Sequence, residues 1–227
     1  MESPGDGLDL TDRIALQSVR VAQPHTIGTR RSGEQVRSAI AKQPVAADEL
    51  YLTELNLAGD RQADLTVHGG PDKAVYVYPA NHLPLWNGNL GTAFAAGTFG
   101  ENLTIAGVDE GDTRIGDLWS WGDALLEVSQ PRSPCYKLAM ITGYPTVGRR
   151  MAESGWTGWY LRVLRPGTVP VAGPILIVER HPAGVTILDA HRASQPGASP
   201  REIERVLAVE PLAAMWRSAL EDRLGRS

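Results

Sequence analysis

The chain has 227 residues, a formal net charge of −4, one cysteine and an apolar share of 42%. The single cysteine excludes an internal disulfide framework and any cysteine-rich zinc or iron–sulfur site, the mild acidity excludes a general attraction to nucleic acid, and no stretch approaches the roughly 20 apolar residues of a membrane span. Gly and Pro make up about 18% of the chain, against roughly 12% in average proteins, which favours short strands and many turns over a helical bundle.

Residues 1–12 read as a tail, acidic and Gly-rich, without the apolar core of a signal peptide. The expectation is a cytoplasmic protein whose lone thiol stays reduced. The spacing of Ile14, Leu16, Val19 and Val21 predicts a strand over 14–21 with a phase slip, as a β-bulge produces. Residues 13–42 carry six bases and one acid, Glu34, around a Gly- and Ser-containing loop at 28–33. Further short strands are predicted over 50–57, 74–78, 102–105, 113–119, 124–129, 159–164 and 174–179, with Gly and Asp turns between them. Residues 82–86 suit a helical turn, and Pro145 opens a short helix through Met151. Many short strands at close spacing predict a barrel or sandwich.

The last forty or so residues change character. Thr186 caps a short helix that Gln195-Pro196-Gly197 ends. Ser199-Pro200-Arg201-Glu202 is a capping box with Pro at the first helical position. Pro211 opens a third helix with Leu212, Met215, Trp216, Ala219 and Leu220 on one stripe. Helices this short need packing partners. The predicted organisation is a tail (1–12), a β-rich domain (13–180) and a three-helix C-terminal domain (185–225).

Charge is unevenly spread. Residues 99–127 hold seven acids and one base, whereas residues 129–150 hold four bases (Arg132, Lys137, Arg149 and Arg150) and no acid. The lone Cys135 lies in this basic stretch, SQPRSPCYKL. Neighbouring cations favour the thiolate form of a cysteine, and Pro131 and Pro134 keep the segment extended. A thiolate on a rigid loop suits a nucleophile or a soft-metal ligand; a small buried hydrophobe is the plain alternative. In LTVHGGPDKA (65–74), His68 can shuttle protons or hydrogen-bond a substrate, and the paired glycines let backbone N–H groups approach an anion. A hairpin turn with an incidental histidine explains the same letters. In TFGENLT (98–104), Glu101 and Asn102 offer polar groups beside a strand, or serve the turn. In RSAIAK (37–42), Arg37 and Lys42 can bind a phosphate, or form an exposed basic face. His25, His181 and His191 make no metal-binding spacing.

Four segments in order, GDRQADLTVHGGPDKAVYVYP (59–79), FGENLT (99–104), IGDLWSWGDALLEVSQPRSPCYKL (115–138) and GWYLRVL (158–164), resemble the MOSC family, the molybdenum cofactor sulfurase C-terminal domain. The similarity is to its small bacterial members tied to resistance to 6-N-hydroxylaminopurine; RSAIAK and the C-terminal helices fit the same subgroup. The resemblance spans roughly residues 14–225. It implies a mainly β (α+β) fold: a mixed β-barrel with flanking helices and a C-terminal three-helix appendage. It also implies a molybdenum–pterin cofactor (molybdopterin), with Cys135 as the metal's protein ligand. The implied chemistry is two-electron reduction of N-hydroxylated bases and related N-oxygenated compounds, fed by a separate electron-donor protein. Under that reading Arg132 is the first candidate for the pterin's phosphate, followed by Lys42, Arg37 and Arg162. Ser133 and Gln130 are placed as pterin hydrogen-bonding groups, with Lys73 and Asn102 as further cofactor contacts. His68 is assigned to catalysis, on the substrate side or the cofactor rim with Asp72 and Lys73.

Other readings of the same residues stay open. One is a pterin-binding or sulfur-carrier module in which Cys135 carries persulfide without reductase activity. Another is a metal-free thiol hydrolase using Cys135 and His68, and a third is a non-catalytic interaction barrel. The expected partners are the small N-hydroxylated substrate and the donor protein, with no nucleic acid and no membrane. The C-terminal stripe is either core or a docking face for the donor or for a second copy of the chain in a homodimer.

Overall fold

A computed structural model describes residues 13–61 and 69–226. Its centre is a sheet that closes on itself. In chain order the barrel strands are β1 (Arg13–Val21), β6 (Val75–Pro79), β7 (Leu103–Ala106), β8 (Leu118–Trp121), β9 (Ala124–Pro131), β10 (Trp159–Arg165) and β12 (Pro174–Glu179). Around the ring the order is β12-β8-β9-β10-β6-β7-β1, and β1 then pairs with β12 through Ile14↔Ile175. Closure removes the free edges that an open sheet would present. The pairing β6–β7 is parallel and the others are antiparallel, so the barrel is mixed. Parallel neighbours need a crossover, which is supplied by α1 (His82–Leu90) and the loop after it. Short strands flank the ring: β4 (Gln43–Pro44) beside β1, the hairpin β2 (His25–Thr29) with β3 (Gln35–Ser38), and β5 (Glu49–Leu52) with β11 (Gly167–Pro170).

The expected phase slip in the first strand is a register shift of β1 against β7 between Leu16 and Ser18. The strand expected over 113–119 is shorter. Residues up to Asp117 form a turn, with Gly116 at φ +87°, because Asp117 accepts from the Arg114 and His181 backbone N–H groups. The predicted strand over 50–57 likewise ends at Leu52, after which Thr53 turns the chain through bonds with Asn56.

Trp119, Trp121 and Trp159 fill the barrel beside Ile14, Leu103, Ile105 and Leu126, all fully buried. A second cluster of Tyr76, Tyr78, Trp86, Phe99, Leu138, Val147 and Met151 lies outside the ring. It seats α2 (Lys137–Thr142) and α3 (Val147–Ser154), the helices that follow the cysteine. The C-terminal helices are α4 (Ile187–Ala193), α5 (Pro200–Leu207) and α6 (Ala214–Leu224). Thr186 and Ser199 cap the first two with full capping boxes. Ile187, Ile203, Val206 and Leu220 belong to the same apolar cluster as the barrel core, so the helices are packed onto the barrel. No helix among the described residues is long and apolar enough to cross a membrane.

Candidate active site

β9 delivers the cysteine. It ends at Pro131, and residues 132–135 form a loop without regular secondary structure before Tyr136 turns into α2. The expected loop after a strand is therefore present, with a partly buried Cys135. The loop is tied to its neighbours: Arg132 N–H donates to Gly158 O at 3.1 Å, and Leu138 N–H donates to Cys135 O at 3.1 Å. Gly158 sits at φ +64°, and a Cβ there would lie 2.2 Å from Val77 O, so this close approach needs glycine.

A cavity of about 90 Å³ opens beside Cys135. Of the residues proposed from sequence, Lys42, Lys73, Asn102, Arg132 and Ser133 line it with Cys135. Arg132 is 5% exposed. Its guanidinium lies 5.4 Å from the Tyr76 ring centroid and 3.4 Å from Met151 Sδ. Burial opposes its charge, but Tyr76, Tyr160 and Cys135 together hold its pKa above the ordinary value. Among the described residues no carboxylate forms an ion pair with it. Burial also pushes the Tyr76 hydroxyl well up and the Tyr160 hydroxyl up, with Arg132 opposing in both cases.

Lys42 is committed to Asp60, its Nζ lying 2.7 Å from Oδ2. Burial lowers the Lys42 pKa against the pull of that carboxylate. Asn102 joins the same network: Nδ2 donates to Asp60 at 2.9 Å and to Arg20 O, while Oδ1 accepts from Tyr76 N–H at 3.1 Å. Asn102 thus forms cavity wall and holds β6 to the loop before β7. Glu101, fully buried, accepts from Gly97 and Phe99 N–H and from the Thr104 hydroxyl, and serves the turn as the plain reading had it.

Arg37 and Arg162 are not brought to the cavity. Arg37 is exposed on β3 and donates to Pro24 O at 2.9 Å. Arg162 on β10 is held between Asp72 at 2.7 Å and Glu127 at 2.6 Å. That pair anchors the short turn Pro71–Lys73, from which Lys73 does reach the cavity. Gln130 lies in a second cleft, described below. His68 lies outside the described residues.

Sequence reasoning missed Ser38, Asp60, Tyr76, Phe99, Lys137 and Tyr160 as cavity wall. Lys137 carried a signal in the basic run around Cys135, and the other five lie inside the family-like segments without being singled out. Tyr76 and Tyr160 become neighbours through the β6–β10 pairing, which periodicity does not disclose.

A second and larger cleft, about 410 Å³, borders the Cys135 loop and is walled by α6. Lys73, Ser133, Cys135 and Tyr160 line both spaces. On α6, Trp216 and Leu220 are buried as the stripe predicted, but Met215 is 49% exposed and faces the cleft, where Lys73 Nζ lies 3.3 Å from its Sδ.

Comparison with known proteins fits this geometry. Residues 64–175 match the MOSC domain model. The chain is 37% identical to "Uncharacterized protein YflK" of Bacillus subtilis, over 94% of this chain and 97% of that one. It is 39% identical to "Protein YiiM" of Escherichia coli, over 82% of this chain and 84% of that one. The chain belongs to the MOSC domain family. MOSC domains are associated with molybdenum cofactor binding. The fold agrees with solved structures: YiiM from Geobacillus stearothermophilus at TM-score 0.75 and 29% identity, covering 93% of this chain and 99% of that one, and YiiM from Escherichia coli at TM-score 0.76 and 31% identity, covering 94% and 93%. A protein called "Reductase" from Gibberella moniliformis is 33% identical over 70% of this chain, a match that spans 29% of that longer protein.

Proposed function

We propose that this MOSC protein is a molybdenum-cofactor-dependent reductase of N-hydroxylated bases and related N-oxygenated compounds, acting in the cytoplasm with Cys135 as the metal's protein ligand. The observation that carries this reading is the Arg132 guanidinium. It is buried in the wall of the cavity that Cys135 shares, with no carboxylate paired to it among the described residues. A desolvated cation needs an anionic partner. Lys73 and Lys137 line the same space, and its acid, Asp60, is taken by Lys42. The residues therefore fit a group that brings both a soft metal and a phosphate: a thiol for the first, a guanidinium and two ammonium groups for the second.

The cofactor, when bound, supplies the two-electron couple. Two electrons from a separate donor protein and two protons convert R–NH–OH into R–NH2 and water; the N–O bond breaks and the nitrogen is reduced. The chain's own part is to bind and to orient. The Pro-bracketed loop holds the Cys135 sulfur at the junction of the two spaces. Arg132, fixed through its backbone to Gly158, sets where the anionic part of the cofactor lies. Arg162 acts at a distance, positioning Lys73 through Asp72.

Molybdenum-loaded protein given a reduced viologen dye should convert 6-N-hydroxylaminopurine to adenine. Arg132→Gln should lower that rate at least about tenfold, the loss of one charge-assisted bond, and should lower the retained pterin in parallel. Full activity and full pterin in that variant would contradict the role given to Arg132. A persulfide on Cys135 by mass spectrometry, with no molybdenum, would replace the reductase with the sulfur-carrier reading.

A further inference from the structure

We propose that the arginine-ringed face around Tyr136, formed by the β2–β3 hairpin, the Cys135 loop and α3, is the docking surface for the electron donor, and that the donor is a small acidic redox protein. This inference rests on the reductase reading and adds to it where the donor sits and what charge it carries. Seated there, the donor gives up the two electrons that, with two protons, convert R–NH–OH into R–NH2 and water.

The first observation is the charge on that face of a chain whose net charge is −4. Residues 13–42 and 129–150 together hold ten bases and one acid; the rest of the chain holds twelve bases and twenty-five acids. The fold joins the two basic stretches. Gly28 on β2 backs onto α2, where a Cβ would lie 2.6 Å from Met140 Cε. Lys42, Arg132 and Lys137 are buried in the cavity wall. Arg30, Arg31, Arg149 and Arg150 are turned to solvent instead. Glu34 and Glu153 each meet one of these arginines at the i,i+4 spacing, at 2.9 and 2.8 Å, and such exposed pairs are weak. Arg31 and Arg150 pair with no carboxylate among the described residues.

The second observation is where these arginines stand. They flank Cys135 through both of its chain neighbours. On one side Arg30 donates to the Tyr136 hydroxyl at 2.9 Å and lies 5.4 Å from its ring centroid. On the other side the first turn of α3 adjoins Pro134: a Cβ on Gly148 would lie 3.7 Å from Pro134 Cβ, and Arg149 and Arg150 follow directly. Tyr136 itself is 51% exposed. A partner that covers this tyrosine covers the residue next to the proposed metal ligand, so docking here brings the donor's redox group close to the cofactor. An acidic partner surface is complementary to the arginines and is steered to them. Arginine and tyrosine are enriched where proteins meet, and the interspersed Glu34 and Glu153 suit a protein partner better than a uniform polyanion.

The probes are flavodoxin and a plant-type ferredoxin, two small acidic redox proteins. Arg31→Glu with Arg150→Glu reverses two exposed charges of the face. Arg165→Glu with Arg201→Glu makes the same change at exposed positions of β10 and α5 and serves as the control pair. Calorimetry measures binding of each oxidised probe to the molybdenum-loaded protein. Reduction of 6-N-hydroxylaminopurine is followed with each reduced probe and with reduced viologen. Wild type should bind at least one probe, with an affinity that falls at least about tenfold between roughly 20 and 300 mM salt. The Arg31 and Arg150 pair should weaken that binding and raise the probe's KM at least about tenfold, while the viologen-supported rate stays near the wild-type value or rises. The control pair should leave all three as in wild type. Binding of neither probe, binding indifferent to salt, or equal weakening by both pairs would overturn the docking face, while the viologen-supported rate upholds the reductase reading. Transfer RNA or phosphatidylserine vesicles bound more tightly than either probe, and lost in the Arg31 and Arg150 pair, would overturn it in favour of a polyanion. A wild type that binds a probe through this face but reduces no substrate with viologen would overturn the reductase reading and uphold the face.

Discussion

At the scale of residues, the cavity depends on charges that burial alone would reject. Lys42 and Asp60 are an example: side-chain exposures of 8% and 1% leave neither in water. Asp60→Ala strands the Lys42 charge and also removes the acceptor of Asn102 and of the Ala22 N–H. Urea unfolding should show a loss of about 3–5 kcal/mol; a loss under about 1 kcal/mol would mean that Lys42 is not held as a cation. Glu101 gives the pH dependence. Burial raises its carboxyl pKa, with the Gly97, Phe99 and Thr104 bonds opposing. The native chain therefore keeps a proton there at pH values where the unfolded chain has released it. The Glu101 contribution to stability is full below the unfolded value near 4.5 and is lost as pH rises through the higher native value. The stability advantage of wild type over Glu101→Gln should accordingly shrink as pH rises through that window. An advantage that grows with pH would reverse the sign.

At the scale of elements, the loop 132–135 is set by its neighbours as much as by its own prolines. Gly158 directly precedes β10, donates its N–H to Glu110 at 2.7 Å and accepts from Arg132 N–H. Gly158→Ala places a methyl group against Val77 O at a positive φ. It should cost at least about 2 kcal/mol and release pterin, read as a lower unfolding midpoint together with lost pterin fluorescence. An unchanged midpoint would show that β6 can move aside. This also marks the boundary of what the sequence discloses. The Cys135 loop was legible because two prolines and a run of bases are local signals. The β1 bulge was legible in a broken alternation, and α4 and α5 in their capping boxes. Local signals could not place Arg162, whose acids lie on β9 and on the turn before β6, nor Arg37, which the β2–β3 hairpin turns to Pro24. Tyr76 and Tyr160 reach the site only because β6 pairs with β10. Met215 looked like core because it shares the spacing of Trp216 and Leu220, and the cleft that exposes it forms only when α6 meets the barrel.

At the scale of the whole molecule, the barrel and the C-terminal helices share one apolar core, and a cleft lies at their junction. Trp216 and Leu220 from α6 and Ile187 and Ala190 from α4 lie in the same cluster as Trp119 and Val128. Calorimetry should therefore show one cooperative transition, and a chain cut after residue 184 should lose it, because the cut exposes core side chains. Two separable transitions would make the helices an independent domain. This arrangement lets one helix serve both as core and as a wall of the cleft beside Cys135.

The central claim, that Cys135 is the protein ligand of a molybdenum–pterin cofactor, is tested most directly by metal analysis of wild type and Cys135→Ser purified from cofactor-competent cells without chelators. The account predicts about one molybdenum per wild-type chain, as a single ligating thiol allows, and none in a serine variant whose circular dichroism shows that it still folds. Stoichiometric molybdenum retained by Cys135→Ser would contradict it.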